Sequence, residues 1–250
     1  MNVGVVTFPG SNCDADARYA AQLTNDVHGI EGTVHTIWHK DTSLPLGLDL
    51  VILPGGFSYG DYLRTGAIAR FSPIMQEVIQ FARAGGFVMG ICNGFQILCE
   101  CGLLPGALIR NTNQQFICKD VFLSVERTDT AFTHAMGGAY QSPLRIPIAH
   151  GDGRFTAGDD VLDSLEANGQ ILFRYATKSG IVLPEANPNG SQRNIAGILN
   201  LYGNVMGMMP HPERAISSTL GSADGAAIFN SLAATFTQRQ TAHSSATYSE

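Results

Sequence analysis

The sequence is short of charge. Only 14% of its 250 residues are Asp, Glu, Lys or Arg, and the acids outnumber the bases 21 to 15. No run of Lys or Arg occurs, so the clustered cations that hold a nucleic-acid backbone are missing. No apolar stretch approaches the roughly 20 residues that span a bilayer, which excludes a membrane-spanning helix. Neither G-x-x-x-x-G-K-S/T nor G-x-G-x-x-G is present, so neither ATP nor NAD is expected on this chain. The cysteines Cys13, Cys92, Cys99, Cys101 and Cys118 form no C-x-x-C pair, and the spacing supports no metal site. Their odd number, and a start that runs from Met1 straight into Val3 to Val6 with no basic segment, lead us to expect free thiols in a reducing, cytoplasmic compartment. There is no internal repeat.

Apolar residues and glycine are abundant: 44% of the chain is hydrophobic and 28 residues are Gly. That composition folds into a packed domain rather than remaining disordered. In the first half, short apolar runs alternate with helix-like stretches. Val3–Phe8, Thr33–Trp38, Leu48–Leu53 and Phe87–Ile91 read as strands. Asp14–Leu23, Ser72–Ala84 and Asn93–Glu100 read as helices, with Ser72 as N-cap before Pro73. This alternation predicts a mainly parallel, flavodoxin-like sheet with helices on both faces. Beyond about residue 105, Phe116–Val125, Leu144–Ala149, Ile171–Tyr175, Ile195–Leu199 and Val205–Met209 predict extra antiparallel strands, followed by a helix over Asp224–Phe236. Residues 1–237 are expected to form one domain and 238–250 a disordered tail. Cys99 and Cys101 read as core or helix-surface thiols, and Cys118 as a small core residue.

The strongest local signal is Gly90-Ile91-Cys92-Asn93-Gly94. It closes a strand, opens a helix and carries Gly two residues to either side of a cysteine, the spacing of a nucleophile elbow. Cys92 then stands at the carboxyl edge of the sheet, where open α/β sheets bind ligands. The adjoining helix N-terminus favours negative charge there. The Asn93 N–H is placed to receive an oxyanion. A cysteine nucleophile needs a base. His211, in Met209-Pro210-His211-Pro212-Glu213, follows an apolar strand. In extended geometry Glu213, two residues on, would share its face and orient the ring. His150, in Ala149-His150-Gly151-Asp152-Gly153, is the rival base. Gly55 and Gly56, in the turn after Leu53, offer bare backbone for an oxyanion or a phosphate.

Taken together, Gly90 to Leu98, Met209 to Arg214, Phe8-Pro9-Gly10-Ser11-Asn12-Cys13-Asp14, Pro54 to Ala69 and the His150 turn resemble the class I (triad) glutamine amidotransferases, over residues 1 to about 236. The likeness is greatest to members that serve purine biosynthesis. The resemblance implies Cys92 as nucleophile, His211 as base and acid, and Glu213 as its orienter. It places an oxyanion hole at the backbone of Gly56 and Asn93, with Gly55, Gln96, His150 and Gly151 as substrate contacts and no metal. It implies L-glutamine as substrate and no cofactor on this chain. A separate synthetase subunit would use ATP and Mg with the released ammonia to aminate formylglycinamide ribonucleotide, alongside a small third subunit. Asp152 stands where the family usually has Glu. The Asn12-Cys13-Asp14 motif has no physical role visible in the sequence. The competing readings are a DJ-1-like or peptidase-type cysteine hydrolase and an inactive scaffold. Gln96 together with a late His211-x-Glu213 separates the first from a glutaminase, and the intact Cys92, His211 and Glu213 oppose the second.

Overall fold

The computed structural model describes residues 1–137 and 142–247, with the side chains of 240–247 left undescribed. The strands are β1 (Val3–Thr7), β2 (Val34–Trp38), β3 (Leu50–Leu53), β4 (Phe87–Ile91), β5 (Ala107–Ile109), β6 (Ile117–Val125), β7 (Leu144–His150), β8 (Arg154–Thr156), β9 (Ile171–Ala176), β10 (Ile195–Leu199) and β11 (Val205–Met208). The helices are α1 (Asp14–His28), α2 (Pro73–Arg83), α3 (Asn93–Glu100), α4 (Asp159–Ala167) and α5 (Ala226–Thr247).

Nine strands form one sheet in the order β2-β1-β3-β4-β11-β10-β9-β6-β7, and β5 pairs with β8 apart from it. The run β2-β1-β3-β4-β11 is parallel. Every pairing from β11 through β10, β9 and β6 to β7 is antiparallel. The parallel strands are apolar throughout where both faces are covered: every residue of β3, β4 and β11 is buried. From β1 the chain moves outward to β2 through α1, and from β3 inward to β4 through α2. Right-handed crossovers in opposite directions put α1 and α2 on opposite faces.

These pairings decide where the chemistry can lie. β1, β3, β4 and β11 point the same way, and four reversals later, across β10, β9 and β6, β7 does too. The carboxyl ends of five strands therefore meet at one edge. The antiparallel half folds back over that edge, because the His211 N–H donates to the Pro147 carbonyl of β7 at 2.8 Å.

Several expectations need correction. The chain stays helical to Thr247 instead of becoming irregular at Gln238. Residues 238–250 hold no Gly or Pro, so no strong breaker follows the predicted helix end; residues 248–250 lie outside the described residues. Helix α4 and the short strands β5 and β8 were not expected. Cys118 is exposed, since it faces outward on β6, whereas Cys99 and Cys101 are partly buried at the end of α3. Ser72 does precede α2, but its hydroxyl bonds Tyr59 Oη at 2.8 Å and caps nothing. Among the described residues no helix is long and apolar enough to cross a membrane.

Candidate active site

Cys92 ends β4 and begins α3 with φ 52° and ψ −105°, a strained conformation for a residue with a side chain. Its N–H is tied to the Met208 carbonyl of β11 at 2.8 Å. The glycines around it are required by contact. A Cβ on Gly94 would overlap the Leu53 carbonyl of β3, and one on Gly90 would lie 2.7 Å from the Gly94 backbone. Helix, elbow and neighbouring strand are packed against one another with no room for a methyl group. Asn93 is the first residue of α3, so its N–H has no acceptor within the helix.

The His211 ring is buried, and its Nδ1 lies 2.7 Å from Glu213 Oε1, also buried. A carboxylate only accepts, so Nδ1 carries the proton and Nε2 is left without a hydrogen-bond partner. The two side chains do not meet by extended alternation. Pro212–Arg214 is a 3-10 turn, and it is this turn that swings Glu213 back under the ring. Burial alone would lower the affinity of the imidazole for a proton. The Glu213 carboxylate and then the sulfurs of Cys92 and Cys13 more than offset it, and His211 is held well above the ordinary histidine range.

Cys92 opens into a cavity of about 240 Å³, shared with Gly56, Gln96, His150, Gly151 and Asp152. A larger cleft, of about 710 Å³, lies at the amino ends of β4 and β11 and is lined by neither cysteine nor histidine. Of the two, the smaller is the one that Cys92 lines. His150 closes β7 and is buried, with both ring nitrogens unpartnered. Burial and the charge of His211 push it down to about 4, so it faces the cavity as a neutral ring. That state leaves the protonated role to His211.

Gln96 lines the cavity and also braces its wall. Its Nε2 donates to the Asp152 carbonyl at 2.6 Å and its Oε1 accepts from Asn93 at 2.8 Å. Gly56 has φ +151°, and a Cβ there would stand 2.7 Å from the Gly10 carbonyl oxygen. Gly55 does not line the cavity. It lies under the base, where a Cβ would come within 2.7 Å of His211 Cε1 and 3.1 Å of Cys13 Sγ.

Five cavity residues escaped the sequence reading: Phe57, Asp61, Thr65, Arg110 and Phe116. Phe57, Asp61 and Thr65 sit in the Pro54–Ala69 stretch, whose pattern drew attention without separating them. Arg110 and Phe116 flank a loop with no pattern. The two phenyl rings stack at 6.3 Å and are half-exposed, which makes an apolar rim. Arg110 Nη1 lies 3.7 Å from Asp152 Oδ2. Burial and then the Asp152 charge push Asp61 up to about 6.

Cys13, His211 and Glu213 bring donor atoms within 4.8 Å of one another, the one such grouping among the described residues. Arg214 occupies the sulfur and Glu213 occupies Nδ1, so these atoms form a hydrogen-bonded array and no metal is assigned to them.

A model of the CobB/CobQ-like glutamine amidotransferase domain matches residues 1–231. The chain is 57% identical over 229 residues to the phosphoribosylformylglycinamidine synthase subunit PurQ of Salinibacter ruber, covering 92% of this chain and 94% of that protein. The PurQ subunit of Moorella thermoacetica is 56% identical over 232 residues, 93% of this chain and 95% of the relative. Among solved structures, a chain of PurLQS from Thermotoga maritima superposes with a TM-score of 0.79 at 43% identity, covering 94% of this chain and 98% of the other. The glutaminase domain of Trypanosoma brucei CTPS, solved with bound acivicin, shares the fold at a TM-score of 0.60 and 11% identity, over 94% and 92% of the two chains. With its elbow, its buried His211–Glu213 pair and matches that run almost end to end, the chain belongs to the CobB/CobQ-like glutamine amidotransferase family.

Proposed function

We propose that this chain is the glutaminase subunit of a phosphoribosylformylglycinamidine synthase and hydrolyses L-glutamine to glutamate and ammonia. One observation carries the reading: a strained cysteine and a carboxylate-bound histidine share one small site, in a chain 57% identical to a PurQ subunit.

The side-chain amide of glutamine enters the 240 Å³ cavity and meets the Cys92 sulfur. The thiolate attacks the amide carbon, and the N–H groups of Asn93 and Gly56 receive the oxygen as it gains charge. His211, protonated on Nε2, gives that proton to the departing nitrogen, so ammonia leaves and a γ-glutamyl thioester remains on Cys92. The neutral ring then takes a proton from water, which attacks the thioester; glutamate leaves and the starting thiolate and imidazolium are restored. Glu213 keeps Nδ1 protonated throughout, so that Nε2 is the atom exchanging protons. At the cavity mouth, Asp61 and Asp152 suit the α-ammonium of glutamine and Arg110 its α-carboxylate. His150 and Gly151 line the same end.

In this reading ammonia passes to a synthetase subunit, which uses ATP and Mg to convert formylglycinamide ribonucleotide to formylglycinamidine ribonucleotide. A small third subunit completes the complex, which works in the cytoplasm. The PurLQS likeness supports the assembly. No cofactor is assigned to this chain.

The test is reconstitution with the synthetase and the third subunit, ATP, glutamine and formylglycinamide ribonucleotide. Glutamate and formylglycinamidine ribonucleotide should form in equal amounts. Cys92→Ala should abolish both with glutamine yet leave the amination supported by ammonium chloride. Glutamine-dependent turnover that survives Cys92→Ala would overturn the assignment.

A further inference from the structure

We propose that Cys13 is a positioning residue for the base: its sulfur, anchored by Arg214, forms the wall that holds the His211 ring between Glu213 and Cys92. The proposal rests on the glutaminase reading, and it gives the Asn12-Cys13-Asp14 motif a task that the triad leaves unassigned.

Cys13 immediately precedes α1 and is only 2% exposed. Its backbone N–H and that of Asn12 both bond the Gly55 carbonyl, at 3.2 and 3.4 Å, which fastens the start of α1 to the turn after β3. The thiol then uses each of its polar capacities once. Sγ donates to Asn12 Oδ1 at 3.1 Å and accepts from Arg214 Nη2 at 3.0 Å. Arg214 is fixed in turn by Asp16 of α1, with Nε 3.2 Å from Oδ2. Asp14 belongs to the same fastening, because it accepts from Thr7 of β1 at 3.2 Å and from Arg18 at 2.8 Å.

The anchored sulfur reaches the triad. Arg214 follows Glu213 directly, so the guanidinium that grips Cys13 also pins the 3-10 turn carrying His211 and Glu213. Gly55 leaves only bare backbone between sulfur and imidazole, since a Cβ there would press on both. The ring is thus enclosed by Gly55, by Cys13 and by Glu213, and its unpartnered edge is Nε2. A packing cysteine needs no guanidinium on its sulfur and no partner glycine; these two features mark Cys13 as built for the ring.

Four groups face His211: Glu213 from its own turn, Cys92 from the elbow, Cys13 from the start of α1, and His150 from the end of β7. Arg214 and Asp16 act on it through Cys13. Cys13 is among the groups that raise the proton affinity of the ring. Its removal should therefore lower the pH at which the imidazolium is lost.

The experiment uses the assembled complex and compares Cys13→Ala, Cys13→Ser and Arg214→Gln with wild type. Readouts are kcat and KM for glutamine, the pH profile of kcat, and Tm. Cys13→Ala should reduce kcat by about 10-fold at nearly constant KM, because the ring loses one of the walls that orient it while the substrate contacts stay. It should also move the limb that reports His211 to lower pH. Cys13→Ser, which keeps both hydrogen bonds with a smaller atom, should recover part of kcat. Arg214→Gln, which frees the sulfur, should lower kcat at nearly constant KM as Cys13→Ala does. If Cys13→Ala does not fold, the Ser and Gln variants decide. A pH profile and kcat that stay at wild-type values in the folded variants, with only Tm reduced, would overturn the positioning role and leave Cys13 as packing. Absence of glutamine hydrolysis in the wild-type complex would instead overturn the glutaminase reading itself.

Discussion

At the residue scale, the proposed chemistry turns on which atom of His211 is free. The Glu213 contact at 2.7 Å holds the proton on Nδ1 and supports the charged ring. Glu213→Gln keeps the shape but offers an amide where a carboxylate stood. We expect kcat to fall by about 10⁴-fold, the scale seen when a triad carboxylate becomes an amide. The sign of the pH change is also set. Glu213 is the largest influence raising His211, so without it the imidazolium is lost at lower pH, and a pH profile of kcat would register the move. Arg110 makes a contrasting prediction. It lines the cavity but contacts none of Cys92, His211 and Glu213 by a hydrogen bond or ion pair, so Arg110→Ala should raise KM for glutamine by about 10-fold, the loss of one charged contact, with kcat largely kept. A fall in kcat at constant KM would contradict its place as a binding residue. The turn at Cys92 and the pairing of His211 with Glu213 were legible in the sequence, because an elbow and a late His-x-Glu have recognisable spacing. The geometry behind the pair was not: alternation suggested an extended segment, and the structure uses a 3-10 turn. Cys13 was visible only as a motif, since its partner Arg214 lies 201 residues away in the chain.

At the scale of elements, the elbow is a junction of β3, β4, β11 and α3. Gly94→Ala would drive a methyl group into the Leu53 carbonyl, and main chain in the middle of a sheet has no rotamer with which to yield. A cost of about 3 kcal/mol follows, or roughly 6–12 °C in Tm, measurable by calorimetry of the variant. The loop at the cavity mouth makes a prediction through pH. Tyr59, Gly60 and Asp61 all adopt positive φ, and Asp61 is held with a carboxyl raised to about 6. The native state therefore holds this proton more tightly than the unfolded chain does. The stabilisation it gives is present below the ordinary carboxylate range and is lost as pH rises through about 6. Asp61→Asn should raise Tm at pH 7.5 and leave it nearly unchanged at pH 3.5; an equal effect at both values would refute the raised carboxyl. The strands of the parallel half were legible because burial on both faces writes continuous apolar runs such as Val51-Ile52-Leu53. β5 and β8 have three residues each, too few to show a period. Helix α4 did carry a signal, Asp159 and Asp160 in its first turn and Leu162 and Leu165 on its buried side, but the surrounding strand-rich stretch obscured it.

At the scale of the molecule, alternation of strand and helix announces an α/β sheet but not its order. β11, from late in the chain, inserts beside β4 and brings His211 to Cys92, and nothing local in Val205–Met208 specifies that neighbour. The closing step of assembly is α5, which packs on α1 and sends Phe236 edge-on to Phe87 at the start of β4, ring centres 5.3 Å apart. Phe236 is 3% exposed. Phe236→Ala should cost about 3–5 kcal/mol. Two residues later the sequence ceases to show a period, yet the helix continues to Thr247. Arg239 lies over the face of Phe87, 4.6 Å from its centre. A chain cut after Arg239 should keep its fold, with stability within about 1 kcal/mol of the full chain, because Phe236 and the cation–π contact both remain. A cut after Ala234 removes both and should unfold several degrees earlier, by at least the Phe236→Ala decrement. Thermal unfolding of the two truncations separates a helix that completes the core from one that merely extends beyond it. Equal Tm values for the two would show that the α5 anchor lies before Phe236.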